Sequence, residues 1–324
     1  MSNYVKRMNM NKIWIIGAGT IAQEYAKILE MLGREYIVIG RGEEKAKAFE
    51  KALNHEVVVG GLEQFLTTKP QLPEAAIVAT NLGSLAANCK KLMQYGVKKI
   101  LSEKPGFLYP EECAEVASLA EKMGTSLFLA YNRRFFASTL EAERIIAEDG
   151  GIKSFNFEFT EWGHVIEKLD KPKADLKNWF YANSTHVVDL AFFLGGAPTQ
   201  WNAIARGELT WHKPAVFAGS GVTETGALFC YQANWAAPGR WGVELLTAQH
   251  RLYLRPMEQL QIQNIGSVAV NPVEIDDSLD KLFKPGFYRE TEAFLNGEWK
   301  RLCSIEHQFN HVREIYTKML KSND

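Results

Sequence analysis

The sequence predicts an α/β protein of two domains: a parallel-sheet domain, then an α+β domain with a large mixed, mostly antiparallel sheet. Three observations predict this class. Short apolar runs alternate with helical periods from Lys12 to about Tyr131, a glycine-rich turn follows the first run, and β-rich runs with few helices follow Ile152. At 324 residues the chain is too long for one ordinary core, so we place the domains at 1–128 and 129–324.

Composition and charge exclude several classes of protein. Hydrophobic residues make up 46% and the net charge is -1, which indicates a globular chain without the basic face that a nucleic-acid partner needs. No segment approaches the roughly 20 apolar residues that cross a bilayer, and no signal peptide begins the chain, so we expect no membrane contact. Four well-separated cysteines without a CxxC motif indicate reduced thiols and a cytoplasmic protein. We predict no metal site.

The first domain is predicted from about six repeated strand and helix units. The strands are KIWIIGAG, REYIVIG, EVVVG, EAAIVAT, VKKILS and TSLFLAY. The segments between them have helical periodicity, and two of these helices end at Gly33 and Gly96. Because strands alternate with helices, we expect a parallel sheet that is covered on both faces.

The turn after the first strand has the pattern GxGxxA, from Gly17 to Ala22. Gly17 permits a tight turn, Gly19 lets the backbone approach a diphosphate, and Ala22 lets the helix pack closely on the strand. The helix N-terminus, at Thr20 and Ile21, offers unpaired N–H groups to an anion. Because the motif opens the first βαβ unit, it predicts a Rossmann domain that binds a dinucleotide.

The residue after the second strand bears on the choice between NAD and NADP. An NAD-binding domain usually has Asp or Glu there for the ribose hydroxyls, whereas this chain has Arg41. An arginine can pair with a 2′-phosphate, so NADP(H) is favoured and NAD(H) is possible, since Glu43 or Glu44 can still reach the ribose. Thr80 and Asn81, which follow the fourth strand, complete the predicted cofactor contacts.

The fifth strand ends on the triplet Glu103-Lys104-Pro105. In open α/β sheets this end of the strands faces the ligand. Hydride transfer to a carbonyl leaves an alkoxide, which the ammonium of Lys104 can stabilise or protonate. Glu103 can orient the lysine or contact the cofactor, and Pro105 fixes the direction of the backbone, with a cis bond as one option.

At this point the sequence resembles the glucose–fructose oxidoreductase/inositol dehydrogenase/MocA-like oxidoreductases. The segments that carry the resemblance are GAGTIA, GVKKILSEKPG, LAYNRRF and NSTHVVDLAFFLGG, in this order over about the first 200 residues. The resemblance implies that Lys104 contacts the reacting oxygen and that His186 is an acid/base group. Many members carry an aspartate four residues before that histidine, and this chain has Ala182 there, with Asn183 or a water as substitutes.

Other residues near these motifs are candidates for substrate binding. Helical spacing places Asn183 on the side of His186, and Asp189 could orient the imidazole. Tyr131 and Arg133 belong to the matching LAYNRRF segment, and Arg133 can bind an anion or simply bridge the two domains. 

The second domain contains further candidates and most of the tryptophans. Trp162 and Trp179 flank the irregular stretch GHVIEKLDKPKADLKN, which we interpret as a loop over the substrate or an ordinary solvated connection. The family resemblance implies that one face of the second sheet mediates homo-oligomerisation, as a dimer or tetramer.

These observations predict an NAD(P)-dependent oxidoreductase that interconverts a secondary alcohol and a ketone on a sugar or sugar derivative. Two alternatives remain open. One is an enzyme that retains its cofactor during epimerisation or glycoside cleavage. The other, suggested by Ala182, is a non-catalytic protein that senses NADP or a sugar.

Overall fold

The computed structural model describes residues 12–321, and it confirms the predicted fold class. These residues form two compact units. The first comprises the described residues up to Ala130 together with Phe287–Phe309, and the second comprises Tyr131–Gly286 and the residues that follow Phe309. The units are described separately below.

The first unit is a Rossmann domain with a seven-stranded sheet in the order β15-β6-β5-β4-β1-β2-β3. Its strands are β1 (Ile13–Ile16), β2 (Tyr36–Ile39), β3 (Val57–Val58), β4 (Ala76–Val78), β5 (Lys99–Ser102), β6 (Ser126–Leu129) and β15 (Cys303–Ser304). Its first five helices are α1 (Thr20–Met31), α2 (Glu43–Leu53), α3 (Gly61–Thr67), α4 (Leu85–Tyr95) and α5 (Pro110–Met123). All pairs of strands are parallel except β15 with β6. The central strands β1 and β4 are wholly buried, as their unbroken apolar sequences require.

Local signals explain where several of these helices begin and end. Helix α5 begins with Pro110, and the carboxylate of Glu112 accepts from the N–H of Tyr109 at 3.0 Å. Helix α2 ends at Asn54 and α4 at Gly96, both in the left-handed conformation. These signals account for the ends of α2, α4 and α5, and the predicted helix end at Gly96 is confirmed.

The C-terminal part of the chain completes the first unit. Helix α11 (Phe287–Asn296) packs against α1, where the rings of Phe287 and Tyr25 are 5.0 Å apart. Strand β15 then pairs with β6, through Cys303 and Leu129. The sequence-based division at 128/129 assigns all of this segment to the second domain, whereas its contacts group it with the Rossmann sheet.

The second unit is built on an eight-stranded sheet in the order β14-β13-β12-β11-β7-β10-β9-β8. Its strands are β7 (Ser154–Glu158), β8 (Pro198–Arg206), β9 (Val216–Thr223), β10 (Leu228–Asn234), β11 (Gly242–Leu246), β12 (His250–Leu254), β13 (Gln261–Asn264) and β14 (Asn271–Pro272). Strands β7 and β10 are parallel and the other pairs are antiparallel. The prediction of a mixed, mostly antiparallel sheet is therefore confirmed.

Two helices of this unit, α6 (Ala137–Glu148) and α9 (Thr185–Gly195), pack on this sheet. The unit also contains the short helices α7 (Gly163–Ile166), α8 (Lys173–Lys177) and α10 (Ser278–Leu282). Helix α9 packs on β7, where the ring of Phe192 meets Phe157 edge-on at 5.5 Å. The remaining helices of the chain are α12 (Ile305–His311) and α13 (Thr317–Leu320), which are separated by a π-helical turn at Val312–Tyr316.

Two details of the second unit differ from the sequence-based expectation. The stretch expected to be irregular contains the short helices α7 and α8. Strand β9 was not expected, because Gly219 and Gly221 interrupt its apolar pattern. These glycines fit because a methyl group at Gly219 would overlap the ring of Tyr231, and one at Gly221 would overlap Trp201.

None of the helices within residues 12–321 is long and apolar enough to cross a bilayer.

Candidate active site

The glycine turn between β1 and α1 has the geometry that a diphosphate-binding loop needs. Gly17 has a φ of 120°, and a methyl group there would overlap the carbonyl oxygen of Ala79. Space is open around the α-carbon of Gly19, which precedes the first turn of α1. Thr20 and Ile21 begin that helix, so its first N–H groups and positive dipole end lie beside the open glycine.

The end of β2 is held against this turn by a third glycine. The N–H of Gly17 donates to the carbonyl of Ile39 at 2.9 Å. A side chain at Gly40 would crowd Val57, at 2.9 Å, and Ala18, at 3.1 Å. Gly40 is therefore required for β2, β3 and the glycine turn to pack together, a role that the sequence analysis did not assign.

Arg41 follows β2 and is exposed. The aliphatic part of its side chain runs past Gly61, whose missing side chain would lie 3.8 Å from Arg41 Cγ. Both acidic alternatives are also exposed, and Glu43 forms an ion pair with Lys47 at 3.1 Å within the first turn of α2. Of the three candidates for the ribose, only Arg41 precedes the helix.

Thr80 and Asn81 lie just beyond β4, at the same edge of the sheet as the glycine turn. The Thr80 hydroxyl accepts from the side-chain amide of Asn88 at 3.3 Å. Asn81 is exposed and begins a 3₁₀ turn that leads into α4. The backbone of Ala79, next to Thr80, is the surface that excludes a side chain at Gly17.

The triplet at the end of β5 is held from two directions. The Tyr25 hydroxyl donates to Glu103 Oε1 at 2.9 Å, and burial together with the charge of Glu103 raises the pKa of Tyr25 well above its usual range. The Gln308 side chain donates to the carbonyl of Pro105 at 3.1 Å. The Lys104–Pro105 bond is cis, and Lys104 itself is half-buried. The backbone on either side of Lys104 is therefore fixed.

In the second unit, Tyr131, Arg133 and His186 come together. The Tyr131 ring meets the imidazole edge-on at 5.8 Å, and His186 is only 4% exposed. Arg133 Nη1 lies 2.9 Å from His186 Nε2 and donates to Asn132 Oδ1 at 2.8 Å. Because a guanidinium can only donate, Nε2 accepts, which places the imidazole hydrogen on Nδ1.

Asp189 does not form the contact with His186 that the sequence suggested. Its carboxylate pairs with Arg134, through Nε at 2.8 Å and Nη2 at 2.5 Å, and His311 Nδ1 lies 3.8 Å away. Arg134 and Asp189 are fully buried, so this bidentate pair ties α9 to the segment after Tyr131. The helical spacing was correct, but the neighbouring arginine takes the carboxylate.

Asn183 has a side-chain partner that the sequence did not indicate. It lies in a π-helical turn, Phe180–Ser184, which alters the spacing on which its alignment with His186 was based. Its amide donates to both oxygens of Glu161, at 3.0 and 3.1 Å, and the Ser184 hydroxyl donates to Oε1 at 2.8 Å.

Glu161 is a buried carboxyl that the sequence analysis missed. It is 2% exposed, and burial raises its pKa, while the polar neighbours Ser184, Trp179 and Asn183 and the charge of Arg240 act against the rise. The one sequence feature that could have indicated this site is the acidic residue directly before Trp162. Its hydrogen-bond partners Asn183 and Ser184 lie more than twenty residues further along the chain.

The two candidate tryptophans have separate environments. Trp162 is 47% exposed, donates to the carbonyl of Gly239 at 2.8 Å, and has the guanidinium of Arg240 at 5.0 Å from its ring. Trp179 is half-buried and meets Trp211 edge-on at 6.3 Å. Of the two, Trp162 has the exposed ring that a sugar could stack on.

His186, Arg133, Arg240 and Trp241 converge, and we call these four residues the His186 cluster. Arg133 lies 5.5 Å and Arg240 4.9 Å from the Trp241 ring, and the His186 ring lies 6.2 Å from it. The sequence did not indicate Arg240 and Trp241, because they lie in a loop before β11 that carries no recognisable motif. Among residues 12–321, no three His, Cys, Asp or Glu side chains come together as a metal site.

Residues 11–131 match the family model described as "Oxidoreductase family, NAD-binding Rossmann fold". This is the family that the sequence resembles, and the match covers the Rossmann part of the chain. The matched segment includes the glycine turn, Arg41 and the triplet around Lys104, so it supports the class of nicotinamide-cofactor oxidoreductases. No curated protein sequence matches the chain.

Solved structures of similar fold extend over nearly the whole chain. A levoglucosan dehydrogenase in complex with NADH has a TM-score of 0.76 at 15% identity and covers 96% of each chain. The UDP-N-acetylglucosamine 3-dehydrogenase GnnA from Acidithiobacillus ferrooxidans has a TM-score of 0.72 at 16% identity, covering 96% of this chain and 99% of its own. An oxidoreductase from Agrobacterium radiobacter, in complex with NAD+, L-tartaric acid and magnesium, has a TM-score of 0.73 at 15% identity and covers 96% of each. At such identities the similarity shows a shared fold.

Proposed function

We propose that the protein is an NADP(H)-preferring oxidoreductase that interconverts a secondary alcohol and a ketone on a sugar or sugar derivative. The observation that carries the proposal is the turn at Gly17, where the backbone excludes any side chain beside the open N-terminus of α1. The family match of this segment supports the oxidoreductase class, and two structures of similar fold are named for substrates that are sugars or sugar nucleotides.

The described residues fit a dinucleotide cofactor. Gly17, Gly19, Thr20 and Ile21 would hold the diphosphate with backbone N–H groups. Thr80, Asn81 and Glu103 lie at the carboxyl ends of β4 and β5, where the rest of the cofactor would bind. When bound, the cofactor supplies or accepts a hydride.

The preference for NADP(H) rests on Arg41. Its exposed guanidinium can pair with a 2′-phosphate, and a carboxylate at the same place would repel that phosphate. The methylene part of the side chain crosses Gly61, and this contact directs it along the end of β2. Glu43 is already neutralised by Lys47.

Lys104 and His186 are the proposed acid/base groups. Lys104 would stabilise or protonate the substrate oxygen with its ammonium. It lies between Glu103, whose carboxylate accepts from Tyr25, and Pro105, whose carbonyl accepts from Gln308. His186 would be the second group, with its hydrogen on Nδ1. Asn183, Tyr131, Arg133, Trp162 and Trp179 are the proposed substrate-binding residues.

The experiment is a fluorescence titration with NADPH and NADH, after any carried-over cofactor has been removed. Wild-type protein should bind NADPH at least about tenfold more tightly, since one charge-assisted pair is worth about 1.5–3 kcal/mol. Arg41→Ala should weaken NADPH binding and leave NADH binding nearly unchanged. Lys45→Ala is the matched control, since it removes one exposed positive charge from α2, the helix that follows Arg41.

Equal effects of Arg41→Ala on the two coenzymes would overturn the NADP(H) preference. Binding of neither coenzyme, by protein without carried-over cofactor, would overturn the oxidoreductase proposal as a whole.

A second copy of the chain is the proposed partner, and the cytoplasm the proposed location. On the uncovered face of the second sheet, Ile204, Val216, Leu228 and Cys230 are exposed. Cys230 provides a test because Cys89 and Cys113 are buried, with pKa values raised to about 12 by burial. A thiol reagent should modify Cys230 slowly at high protein concentration and faster on dilution. Equal rates at every concentration, with a monomeric mass by light scattering, would contradict this assembly.

A further inference from the structure

Trp241 is the centre of the His186 cluster, and it is bordered by two cations. Arg133 and Arg240 lie with their guanidinium carbons 5.5 and 4.9 Å from its ring, within the range of cation–π attraction. Trp241 is only 7% exposed, and its indole N–H is buried without a hydrogen-bond partner among residues 12–321. A buried donor between two cations favours an anionic or strongly polar ligand.

Arg240 is the exposed member of the pair. Its guanidinium also lies 5.0 Å from the ring of Trp162, which is fixed by the bond from its indole to the carbonyl of Gly239. Two aromatic rings therefore position Arg240. Within the described part of the chain, no hydrogen bond or ion pair occupies its N–H groups, so they can bind a planar anion.

The acidic residue Glu161 does not neutralise the positive charge of Arg240. Glu161 interacts electrostatically with Arg240 without forming an ion pair. Its oxygens accept from Asn183 and Ser184, and burial raises its pKa, which favours the uncharged form. The cationic character of Arg240 is thus retained.

Arg133 has a different task. Its Nη1 is held by Asn132 Oδ1 and His186 Nε2, so this guanidinium is fixed beside the imidazole. Arg133 thus positions His186, whereas Arg240 lies at the exposed edge of the same ring. The cluster combines a fixed imidazole with a cation that has available donors, and the exposed ring of Trp162 lies beside that cation.

We propose that the His186 cluster binds an anionic sugar derivative, with Arg240 holding the carboxylate or phosphate and Trp162 stacking on the sugar ring. This inference rests on the proposed function, which makes a sugar the substrate, and it narrows that class to acidic sugars. Neutral sugars of the same ring shape bind more weakly because the donors of Arg240 then have no charged partner.

The test compares binding of D-glucuronate, D-galacturonate, D-glucose 6-phosphate and their neutral hexoses by isothermal titration calorimetry of the full chain. At least one acidic sugar should bind tenfold or more tightly than its neutral counterpart. Arg240→Gln should remove that difference and leave neutral-sugar binding unchanged. Trp162→Ala should weaken binding of both members of the pair. A preference for a uronate assigns the anion as a carboxylate, and a preference for the phosphate ester assigns it as a phosphate.

The matched control is Arg144→Gln, which removes an equally exposed arginine from α6 of the same unit. The inference is overturned if no acidic sugar exceeds its neutral counterpart, or if Arg240→Gln and Arg144→Gln behave alike. NADPH titration of the same samples separates the two proposals. If NADPH does not bind but acidic sugars are still preferred, only the oxidoreductase proposal is contradicted. If NADPH binds normally but acidic sugars are not preferred, only the anion site is contradicted.

Discussion

The glycine turn of the first unit and the His186 cluster of the second unit are assembled in opposite ways. The turn is made by consecutive residues, and its shape depends on the absence of side chains at Gly17 and Gly19. The cluster is made by side chains from segments that are about fifty residues apart in sequence, at Arg133, His186 and Arg240. A site formed by the backbone of consecutive residues can be recognised from a short sequence motif. A site formed by side chains from distant segments can be recognised only in the folded structure.

The largest effect is expected at Lys104, the proposed acid/base group of the first unit. Lys104→Ala should lower kcat by about 10²–10⁴-fold, because it removes the group that stabilises or protonates the oxygen. NADPH affinity should change little. Steady-state kinetics on the acidic sugar identified by calorimetry would measure this.

The control for Lys104 is Lys98→Ala, which removes an exposed lysine that donates to the carbonyl of Met123. If Lys104→Ala kept full kcat on the same sugar, the catalytic role of this lysine would be wrong.

The next largest effect is on stability, and it should differ between the two glycines of the turn, Gly17 and Gly19. Gly17→Ala should destabilise the protein by about 3 kcal/mol or more, because the methyl group overlaps the Ala79 carbonyl at a positive φ. Gly19→Ala has open space and should keep the wild-type unfolding midpoint, while it weakens NADPH binding. Urea unfolding and the fluorescence titration would be run on both variants. Equal stability of the two would show that the backbone contact at Gly17 does not constrain the turn.

A smaller effect is expected in the second unit, where His212 makes the free energy of unfolding depend on pH. His212 is buried beside Trp211 and Trp235, its Nδ1 donates to the carbonyl of Pro214 at 2.8 Å, and burial lowers its pKa from 6.5 to about 4. Between pH 6.5 and about 4, His212 is therefore protonated in the unfolded chain and neutral in the folded chain. Stability is fully present above pH 6.5 and falls as the pH drops towards 4, by up to about 3 kcal/mol.

His212→Asn tests this pH dependence, since its amide keeps a donor for Pro214 and cannot titrate. The variant should lose about 2 kcal/mol less than wild type between pH 7 and pH 5 in urea unfolding. Parallel losses in the two proteins would mean that other groups cause the acid sensitivity.

The sequence predicted the first unit well because its signals are local. Continuous apolar strands and the glycine turn predicted the alternation of strands and helices, and α4 ends at the predicted Gly96. The β15 strand and the bond from Gln308 to Pro105 were not predictable in the same way. They join residues that are about 175 to 200 positions apart, and no periodicity within a short segment records such a contact.

Prediction of the second site failed where one side chain had several possible partners. Asp189 was assigned to His186 by helical spacing, yet the buried guanidinium of Arg134 offers it two hydrogen bonds. Asn183 was placed on the side of His186 by helical spacing, and it lies in a π-helical turn where its amide donates to Glu161. The roles of Lys104 and His186 remain predictions that the kinetic experiments address.

The antiparallel strand β15 has a consequence for how the protein is made. It reaches the sheet edge beside β6 only after some 170 further residues have been translated, together with the helix that places Phe287 against Tyr25. A nascent chain that has emerged to Ala130 has all the parallel strands but neither this edge strand nor the Gln308 bond at Pro105. The support of the turn carrying Lys104 is therefore completed only near the end of synthesis, about 200 residues after Lys104 itself has been translated.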